Sequence, residues 1–294
     1  MQNKTIAIFG EVLFDCFPDG LQVLGGAPFN VAWHLQAFRQ SPLFISRVGD
    51  DNSGAKIRYA MRRWGMSAAG LQIDATHPTG AVSVSLENGE PSYQILDNQA
   101  YDFIQQQAFA SPESAILYHG SLALRHATSR LALQTLISGF RGKVFVDVNL
   151  RSPWWDKTLL KNWLAAADWV KLNEHELHML SPTSQTLQSK MQAFLEDYQL
   201  TGLVITRGGA GAVAVNPALD FVSVAPETQV KVVDTVGAGD AFAAVFVLGM
   251  QQNWPLPLTM QRAQEFASAL VGQRGATVDN LQFYQPFIQE WEPL

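Results

Sequence analysis

The sequence predicts an α/β fold, in which helices cover both faces of a mostly parallel β-sheet. Short apolar runs that end in glycine or polar residues alternate with amphipathic segments, and this alternation is typical of β-α-β units. Most of these runs are apolar throughout, as strands buried on both faces of a parallel sheet are. A segment near residue 81 instead alternates apolar and polar residues, which indicates a small additional β structure.

Two β-α units begin the chain. The apolar run TIAIFG at residues 5–10 predicts a buried strand, and GGAPFNVAWHLQAF at 25–38 predicts a glycine turn followed by a helix with a proline near its start. PLFISRVG at 42–49 predicts the next strand. The amphipathic stretch GAKIRYAMRRWG predicts a helix that Gly65 closes.

The alternating segment interrupts this rhythm. Residues 82–86 alternate between apolar and serine side chains, and Asn88-Gly89 is a strong signal for a hairpin turn. One apolar and one polar face indicate a position outside the main sheet. We therefore expect a small β lid or dimer-forming sheet with strands within about residues 12–24 and 79–100, and an ordinary surface hairpin is the alternative.

Four further strand candidates follow the hairpin. They are AILYHG, KVFVDVN, WVKLN and GLVITRG, separated by helical stretches. GAVAVNP and FVSVAP then predict antiparallel edge strands, and VKVVDT predicts a strand that leads into a glycine-rich turn. Ligands of open parallel sheets bind beyond the C-terminal ends of the strands. The polar residues at those ends are Asp147, Asn149, Arg151, Asn173, Glu176 and Arg207.

Composition limits the class of protein. The chain has 294 residues, 47% of them hydrophobic and 16% charged, which favours one large α/β domain over residues 1–294. The net charge of −6 gives no general electrostatic basis for binding nucleic acid, and no apolar run reaches the length of a membrane helix. Cys16 is the single cysteine and the N-terminus has no signal-peptide pattern, so we expect a cytoplasmic location.

The stretch DTVGAGDAF at residues 234–242 predicts an anion site. N–H groups at a helix start point outward without internal partners, and glycines let a phosphate approach closely. The position three residues after Gly239 is Phe242, so the dinucleotide-binding fingerprint is absent, and so is the lysine of a P-loop. Asp240 then has two interpretations: an N-cap of the helix, or a general base for a hydroxyl, held ionised by the neighbouring N–H groups.

Taken together, the motifs resemble those of the ribokinase-like (PfkB-type) carbohydrate kinases, and they are closest to the fructokinase branch. DTVGAGDAF resembles the C-terminal signature of that family, and GGAPFN at 25–30 resembles its N-terminal glycine-rich signature. RVGDD at 47–51, NEHE at 173–176 and TRGGAG at 206–211 resemble three further family motifs. The resemblance runs from about residue 6 to residue 276 in the expected order.

The resemblance implies a ribokinase-like three-layer α/β/α sandwich with a small β lid, and ATP-dependent phosphorylation of a sugar hydroxyl. Asp240 then matches the catalytic base. The backbone N–H groups of residues 236–240, which include Gly237, Ala238 and Gly239, match the anion hole for the transferred phosphoryl group.

The nucleotide and metal sites are implied by the same resemblance. Asn173, Thr206, Gly208 and Gly211 match nucleotide-binding positions, together with the glycines of the anion hole. Glu176 matches the residue that orients Mg²⁺, and water-mediated contact is expected because magnesium keeps several of its waters. A first-turn helix acid is the alternative for Glu176. Asp234 matches a position near a monovalent cation, often K⁺.

The resemblance also implies a sugar site formed mainly by residues near the N-terminus. Asp15 of GE-x-L-x-D and Asn30 match sugar-binding positions, with Gly25 and Gly26 beside them. Asp147-Val148-Asn149-Leu150-Arg151 resembles the D-x-N-x-R stretch of fructokinases and ketodeoxygluconate kinases, with valine where proline is common. Arg151 would contact the sugar or the phosphoryl group, and a structural ion pair is the alternative.

The resemblance favours fructose as the acceptor because GE-x-L-x-D, GGAPxN and D-x-N-x-R occur together. A 2-keto-3-deoxygluconate kinase is the nearest alternative, and a second basic residue in the pocket would favour it. A non-catalytic sugar- or nucleotide-binding relative would lack the base or the anion-hole glycines, and both are present. A Rossmann oxidoreductase needs a fingerprint on the first strand, which IAIFGEVLFD lacks. We also expect a homodimer formed through the lid.

Overall fold

The computed structural model describes residues 6–87, 90–106, 116–181, 185–226 and 231–291. In chain order, the strands of these residues are β1 (Ile6–Phe9), β2 (Leu13–Cys16), β3 (Gln22–Gly25), β4 (Leu43–Gly49), β5 (Leu71–Asp74), β6 (Gly80–Glu87), β7 (Glu90–Ile95), β8 (Ile116–His119), β9 (Lys143–Asp147), β10 (Trp169–Asn173), β11 (Gly202–Thr206), β12 (Ala212–Val215) and β13 (Phe221–Val224). The helices are α1 (Ala27–Ala37), α2 (Asn52–Arg63), α3 (Ala127–Gly139), α4 (Lys157–Ala165), α5 (Glu174–Leu180), α6 (Leu187–Asp197), α7 (Ala238–Gln252), α8 (Leu256–Leu270) and α9 (Leu281–Trp291).

The main sheet has nine strands in the order β13-β12-β11-β10-β9-β8-β1-β4-β5. Its strands are parallel except at one edge, where β12 pairs antiparallel with both β11 and β13. Side chains of alternate residues enter different cores, since Ile8 and Phe145 pack with α1, α2, α7, α8 and α9, whereas Phe9 and Val146 pack toward α3–α6. The predicted three-layer α/β/α arrangement is therefore confirmed.

The second sheet has four strands in the order β3-β2-β6-β7. In β6 the side chains of Val82 and Val84 are buried and those of Ser83 and Ser85 are exposed, as the alternation predicts. The pairing of Glu87 with Glu90 closes the hairpin, while Asn88-Gly89 lies outside the described residues. Leu13 and Val82 share a core with Phe9 of the main sheet, so the small sheet is packed onto the large one.

One local prediction is wrong, and one strand was not predicted. VKVVDT does not form a strand within residues 231–235, because the N–H groups of Val233 and Asp234 donate to the carbonyl of Val271 after α8, at 2.7 and 3.1 Å. The edge strand β5 is not indicated by the sequence, since LQID lacks the uniform apolar character of the interior strands. No helix among the described residues is long and apolar enough to cross a membrane.

Candidate active site

The glycine-rich turn at the start of α7 forms the centre of the candidate site. Gly237 has φ 79° and precedes the first helical residue, Ala238; a Cβ at Gly237 would lie 2.5 Å from Ala276. No side chain caps this helix, and the N–H groups of Gly239 and Asp240 remain available to an anion. The predicted anion hole of residues 236–240 is therefore narrower than expected, because the N–H of Val236 donates to Asp234 at 3.0 Å and that of Ala238 donates to the carbonyl of Thr235 at 3.3 Å. Asp240 is the third helical residue, which excludes the N-cap interpretation.

Asp240 is joined to the other end of the chain by Asn30. The Nδ2 of Asn30 donates to Oδ2 of Asp240 at 2.7 Å, across 210 residues of sequence. Asn30 lies in the first turn of α1, which follows the turn Gly25-Gly26. Gly26 has φ 110°, and a Cβ there would lie 2.7 Å from the carbonyl oxygen of Glu11. The two glycine-rich motifs therefore meet at one carboxylate.

The pKa of Asp240 differs from the sequence-based expectation. Burial raises it to about 6, the negative charge of Asp147 adds to the rise, and the hydrogen bond from Asn30 opposes it together with Lys171 and Arg151. The expected effect of the helix start, a carboxylate held ionised at low pH, is thus outweighed by desolvation. A carboxylate with a pKa just below neutrality suits a general base.

A buried ion pair lies beside Asp240. Lys171 on β10 donates to both oxygens of its register partner Asp147 on β9, at 2.9 and 2.8 Å, and the Tyr118 hydroxyl donates to Asp147 at 3.1 Å. A Cβ at Gly239 would lie 3.6 Å from Nζ of Lys171, so the ammonium group approaches the anion hole. Burial tends to lower the pKa of Lys171, but Asp147 raises it overall. The sequence signal for Lys171 was its isolated charge within WVKLN.

Two of the predicted sugar-binding residues, Asn30 and Arg151, act on the carboxylate of Asp240. Asp15 on β2 faces Gly25, and a Cβ at Gly25 would lie 4.0 Å from Oδ2 of Asp15. Burial raises the pKa of Asp15, and the charge of Arg151 opposes the rise. The same guanidinium lowers the pKa of Asp240. Arg151 is exposed at the edge of the site, and the structure brings together the predicted residues Asp15, Gly25, Gly26, Asn30, Arg151 and Asp240.

Glu11 is a buried acid that the sequence predictions did not single out. Its side chain is 3% exposed, in the segment that connects β1 to β2. Burial raises the pKa of Glu11 to about 7; the charge of Asp240 raises it further, and Arg151 and Arg125 lower it. An acid directly after a buried strand, in GE-x-L-x-D, was the signal available in the sequence.

Glu176 and Asn173 form a reciprocal cap at the start of α5. The side chain of Asn173 accepts from the N–H of Glu176 at 2.8 Å, and Oε2 of Glu176 accepts from the N–H of Asn173 at 2.7 Å. Oε1 of Glu176 accepts from the N–H of Leu150 at 2.7 Å. Burial, together with the charge of Asp147, raises the pKa of Glu176. Glu176 therefore links the start of α5 to the stretch that carries Arg151.

Asp147 and Glu176 are the two buried carboxylates that could face a hydrated magnesium ion. Both are hard oxygen donors of the kind Mg²⁺ prefers, but Lys171 already occupies both oxygens of Asp147. Glu176 keeps one lone pair on each oxygen beyond its backbone hydrogen bonds, so it fits contact with the ion through water. The magnesium role of Glu176 stays a prediction.

The loop between β11 and β12 has the backbone shape that its glycines allow. Gly208 and Gly211 have φ 54° and 82°, and a Cβ at Gly211 would lie 1.9 Å from the carbonyl oxygen of Val224. Asn173, Thr206 and Gly208 line a cavity of about 640 Å³. The predicted contacts of these residues with a nucleotide stay predictions. Gly211 is required by the close approach of Val224 in the hairpin, whether or not a nucleotide binds.

Asp234 fastens the anion-hole turn to the segment after α8. Its Oδ1 accepts from the N–H of Val236 and its Oδ2 accepts from the N–H of Gly275, both at 3.0 Å. The carboxylate therefore fixes two backbone segments that flank Gly237. The predicted monovalent-cation role of Asp234 stays a prediction.

Helix α1 holds the same segment from the other side. The buried His34 contacts the carbonyl oxygen of Ala276 through Nε2 and the hydroxyl of Tyr284 through Nδ1, both at 3.0 Å. Because a carbonyl only accepts, Nε2 must carry the proton. Burial lowers the pKa of His34 to about 4, so its ring is neutral. Trp33 donates to the carbonyl of Val278 at 3.0 Å. Ala276, thus held, packs against Gly237.

Comparison with known proteins identifies the family. The pfkB family of carbohydrate kinases matches residues 17–282. The chain belongs to this family. A pfkB kinase of this kind is a sugar phosphotransferase, and the family and enzyme class predicted from the motifs are confirmed.

The matches with relatives cover most of this pfkB kinase. A fructokinase of Klebsiella pneumoniae is 33% identical over 264 residues, which are 84% of this chain and 85% of that protein. The crystal structure of a fructokinase double mutant from Vibrio cholerae O395, in a form with fructose, ADP and potassium ion bound, superposes with a TM-score of 0.82 at 26% identity, covering 96% of this chain and 98% of the other. A Xylella fastidiosa fructokinase with bound ATP has a TM-score of 0.86 at 23% identity over 98% and 99% of the two chains, and shares the fold.

Proposed function

We propose that this pfkB kinase is a fructokinase that transfers the terminal phosphoryl group of ATP to a hydroxyl of fructose, with Asp240 as the general base. The observation that carries the proposal is the hydrogen bond between Asn30 and Asp240 at the uncapped start of α7. This contact supports the proposal because a carboxylate able to act as a base for an alcohol then lies at a helix start that can bind phosphate. The fructokinase relatives support fructose as the acceptor.

Asp240 would take the proton from the attacking hydroxyl group. Its pKa of about 6 leaves it mostly ionised above neutral pH, so that it can accept this proton. Asn30 occupies Oδ2, which leaves Oδ1 for the hydroxyl. The amide fixes the carboxylate in one orientation before the sugar arrives, and such positioning is a main source of catalysis in phosphoryl transfer.

Three features would stabilise the charge of the transferred phosphoryl group. They are the first-turn N–H groups of α7, the positive end of the helix dipole, and the ammonium group of Lys171 near Gly239. Gly239 leaves room for the phosphate because it carries no side chain, whereas Gly237 allows the turn to pack closely against Ala276. Mg²⁺, when bound, neutralises phosphate charge, and Glu176 would hold it through water.

The sugar would lie between Asp15, Asn30 and Arg151. Three acidic side chains, Glu11, Asp15 and Asp240, are close enough to Arg151 for its charge to lower their pKa values. This excess of carboxyl groups favours a neutral sugar over 2-keto-3-deoxygluconate, whose carboxylate they would repel. The buried guanidinium of Arg125 nearby is neutralised by Asp102 at 2.7 Å.

The small sheet would act as a lid over the sugar and as a dimer interface. Asp15 lies on β2, so a movement of this sheet would move a sugar-binding residue. Leu21 and Tyr93 are 51% and 54% exposed on this part of the molecule, and a second copy would cover them. We place the reaction in the cytoplasm, where ATP is abundant and where the single cysteine stays reduced.

A coupled assay of ADP release tests the proposal. The protein is supplied with ATP and Mg²⁺ and with fructose, glucose, ribose or 2-keto-3-deoxygluconate in turn. We expect the highest kcat/KM with fructose. The absence of sugar-dependent ADP release from the whole panel would contradict the kinase assignment, and a preference for 2-keto-3-deoxygluconate would contradict the choice of sugar.

A further inference from the structure

Three buried polar atoms close to the site have no hydrogen-bond partner among the described residues. They are Oε2 of Glu11, Oδ1 of Asn30 and Nη1 of Arg125. Buried polar atoms in folded proteins nearly always find partners, so a ligand or water is expected to complete the hydrogen bonds of these three. When Glu11 is protonated, the set contains one acceptor, Oδ1 of Asn30, and two donors, which matches a hydroxyl group that donates one hydrogen bond and accepts others.

The other polar atoms of Asn30 and Arg125 are held by hydrogen bonds. Nδ2 of Asn30 donates to Asp240 at 2.7 Å. Nε and Nη2 of Arg125 donate to the two oxygens of Asp102, both at 2.7 Å, and the guanidinium lies 4.3 Å from the centre of the Trp154 ring. Asn30 and Arg125 are thus fixed by other partners, and the free atom of each is a fixed point rather than a mobile group.

Charged groups on both sides of the proposed sugar site act on the pKa of Glu11. The charged groups that act on it are Asp240 at the start of α7, Arg151 after β9, and Arg125, while its own charge raises the pKa of Tyr101 and of Tyr118. Its pKa of about 7 follows mainly from burial without a full set of partners. A hydrogen bond to a substrate would supply the missing partner.

We propose that Glu11 is a sugar-binding residue that, with the free oxygen of Asn30, fixes a second hydroxyl of the acceptor sugar next to the one that Asp240 deprotonates. This inference rests on the proposed sugar kinase activity and adds a determinant of sugar specificity to it. A sugar that lacks this hydroxyl would leave Glu11 buried and unpaired, and sites that lose such a partner discriminate strongly against the analogue.

The test uses Glu11→Ala, Glu11→Gln and, as a matched control, Glu196→Gln, which makes the same change at an exposed position of α6. Each variant is assayed with fructose and with 1-deoxy-, 3-deoxy- and 4-deoxyfructose. We expect Glu11→Ala to raise the KM for fructose about 10-fold to 100-fold, from the loss of a hydrogen bond to a charged or acidic group, while the KM for ATP stays within about twofold. The control should match the wild type.

The deoxy sugars separate direct contact from a structural role. We expect one analogue to be much poorer than fructose for the wild type and nearly equal to fructose for Glu11→Ala, because the variant no longer reads that hydroxyl. An equal loss with fructose and all analogues would overturn the inference and indicate a role in folding or a contact through water only. If Glu11→Ala does not fold, Glu11→Gln, which keeps the shape of the side chain, is compared in the same way. A wild type inactive with every sugar would refute the proposed function instead.

Discussion

The side-chain amide of Asn30 donates a hydrogen bond of 2.7 Å to the carboxylate of Asp240, and this contact joins helix α1 to helix α7 at the catalytic cleft. Asn30 follows the turn Gly25-Gly26, and Asp240 follows the turn that ends at Gly237. Each glycine turn therefore delivers one member of the pair. The pair shows how two motifs more than 200 residues apart in sequence would serve the one proton transfer proposed for Asp240.

The acidic limb of the pH profile of kcat/KM should depend on this hydrogen bond. The bond lowers the pKa of Asp240, which is about 6, and the base works only when ionised, so kcat/KM falls as pH drops through that value. In Asn30→Ala the acidic limb should move upward by about one pH unit. The matched control Asn52→Ala, at an exposed position of α2, should leave the limb in place. A limb unchanged in Asn30→Ala would refute the assignment.

The ionised Asp240 should also lower the free energy of unfolding at high pH. Its pKa is raised in the folded state, so the folded protein binds a proton more tightly than the unfolded chain, and stability is lost as pH rises from about 4 to about 6. Asp240→Asn removes this loss. We expect its free energy of unfolding to exceed that of the wild type by up to about 3 kcal/mol at pH 8, with little difference at pH 4. Urea unfolding at both pH values measures this, and a less stable variant at pH 8 would contradict the sign.

Lys171 should contribute to turnover separately from its ion pair. Lys171→Met leaves Asp147 buried without its partner and should lower stability by about 3–5 kcal/mol. The double variant Asp147→Asn/Lys171→Met removes both charges and should regain most of that stability. Its kcat should stay at least about tenfold below the wild type, because the positive charge near Gly239 is missing. A double variant with wild-type kcat would show that the pair is structural.

His34 should position the anion hole from a distance. His34→Phe keeps an aromatic ring but loses the contact with the carbonyl of Ala276, which packs against Gly237. We expect a raised KM for ATP and a lowered kcat, with the KM for fructose within about twofold. His34→Gln, whose amide can donate to Ala276, should recover part of the activity. Equal changes in the two KM values would indicate a general loss of packing.

The sequence predicted the elements whose signals are local. Uniform apolar runs identified β1, β4 and β8–β11, and the alternation at residues 82–86 identified the small sheet. It failed at VKVVDT, whose apolar residues resemble a strand although their backbone bonds to Val271 at the end of α8. Hydrogen bonds to a distant carbonyl leave no trace in local periodicity.

The residues of the candidate site also fall into two groups, those that the sequence predicted and those that it did not. The roles of Asp240, Asn30 and the glycines were predicted because their motifs resemble the signatures of the kinase family, but the raised pKa of Asp240 was not, since it depends on burial and on Asp147. Lys171, His34 and Glu11 are single polar residues within apolar segments. Their roles follow from neighbours in the fold, which periodicity and spacing do not specify.

The turnover of Asp240→Asn with ATP and fructose tests the central claim most directly. The substitution keeps the size of the side chain and an oxygen that can accept from Asn30, but it removes the base. We expect kcat to fall by about 10²–10⁴-fold while the dissociation constant of ATP, measured by calorimetry, stays within about twofold. A variant that retains more than about a tenth of the wild-type kcat would contradict the assignment of Asp240 as the base.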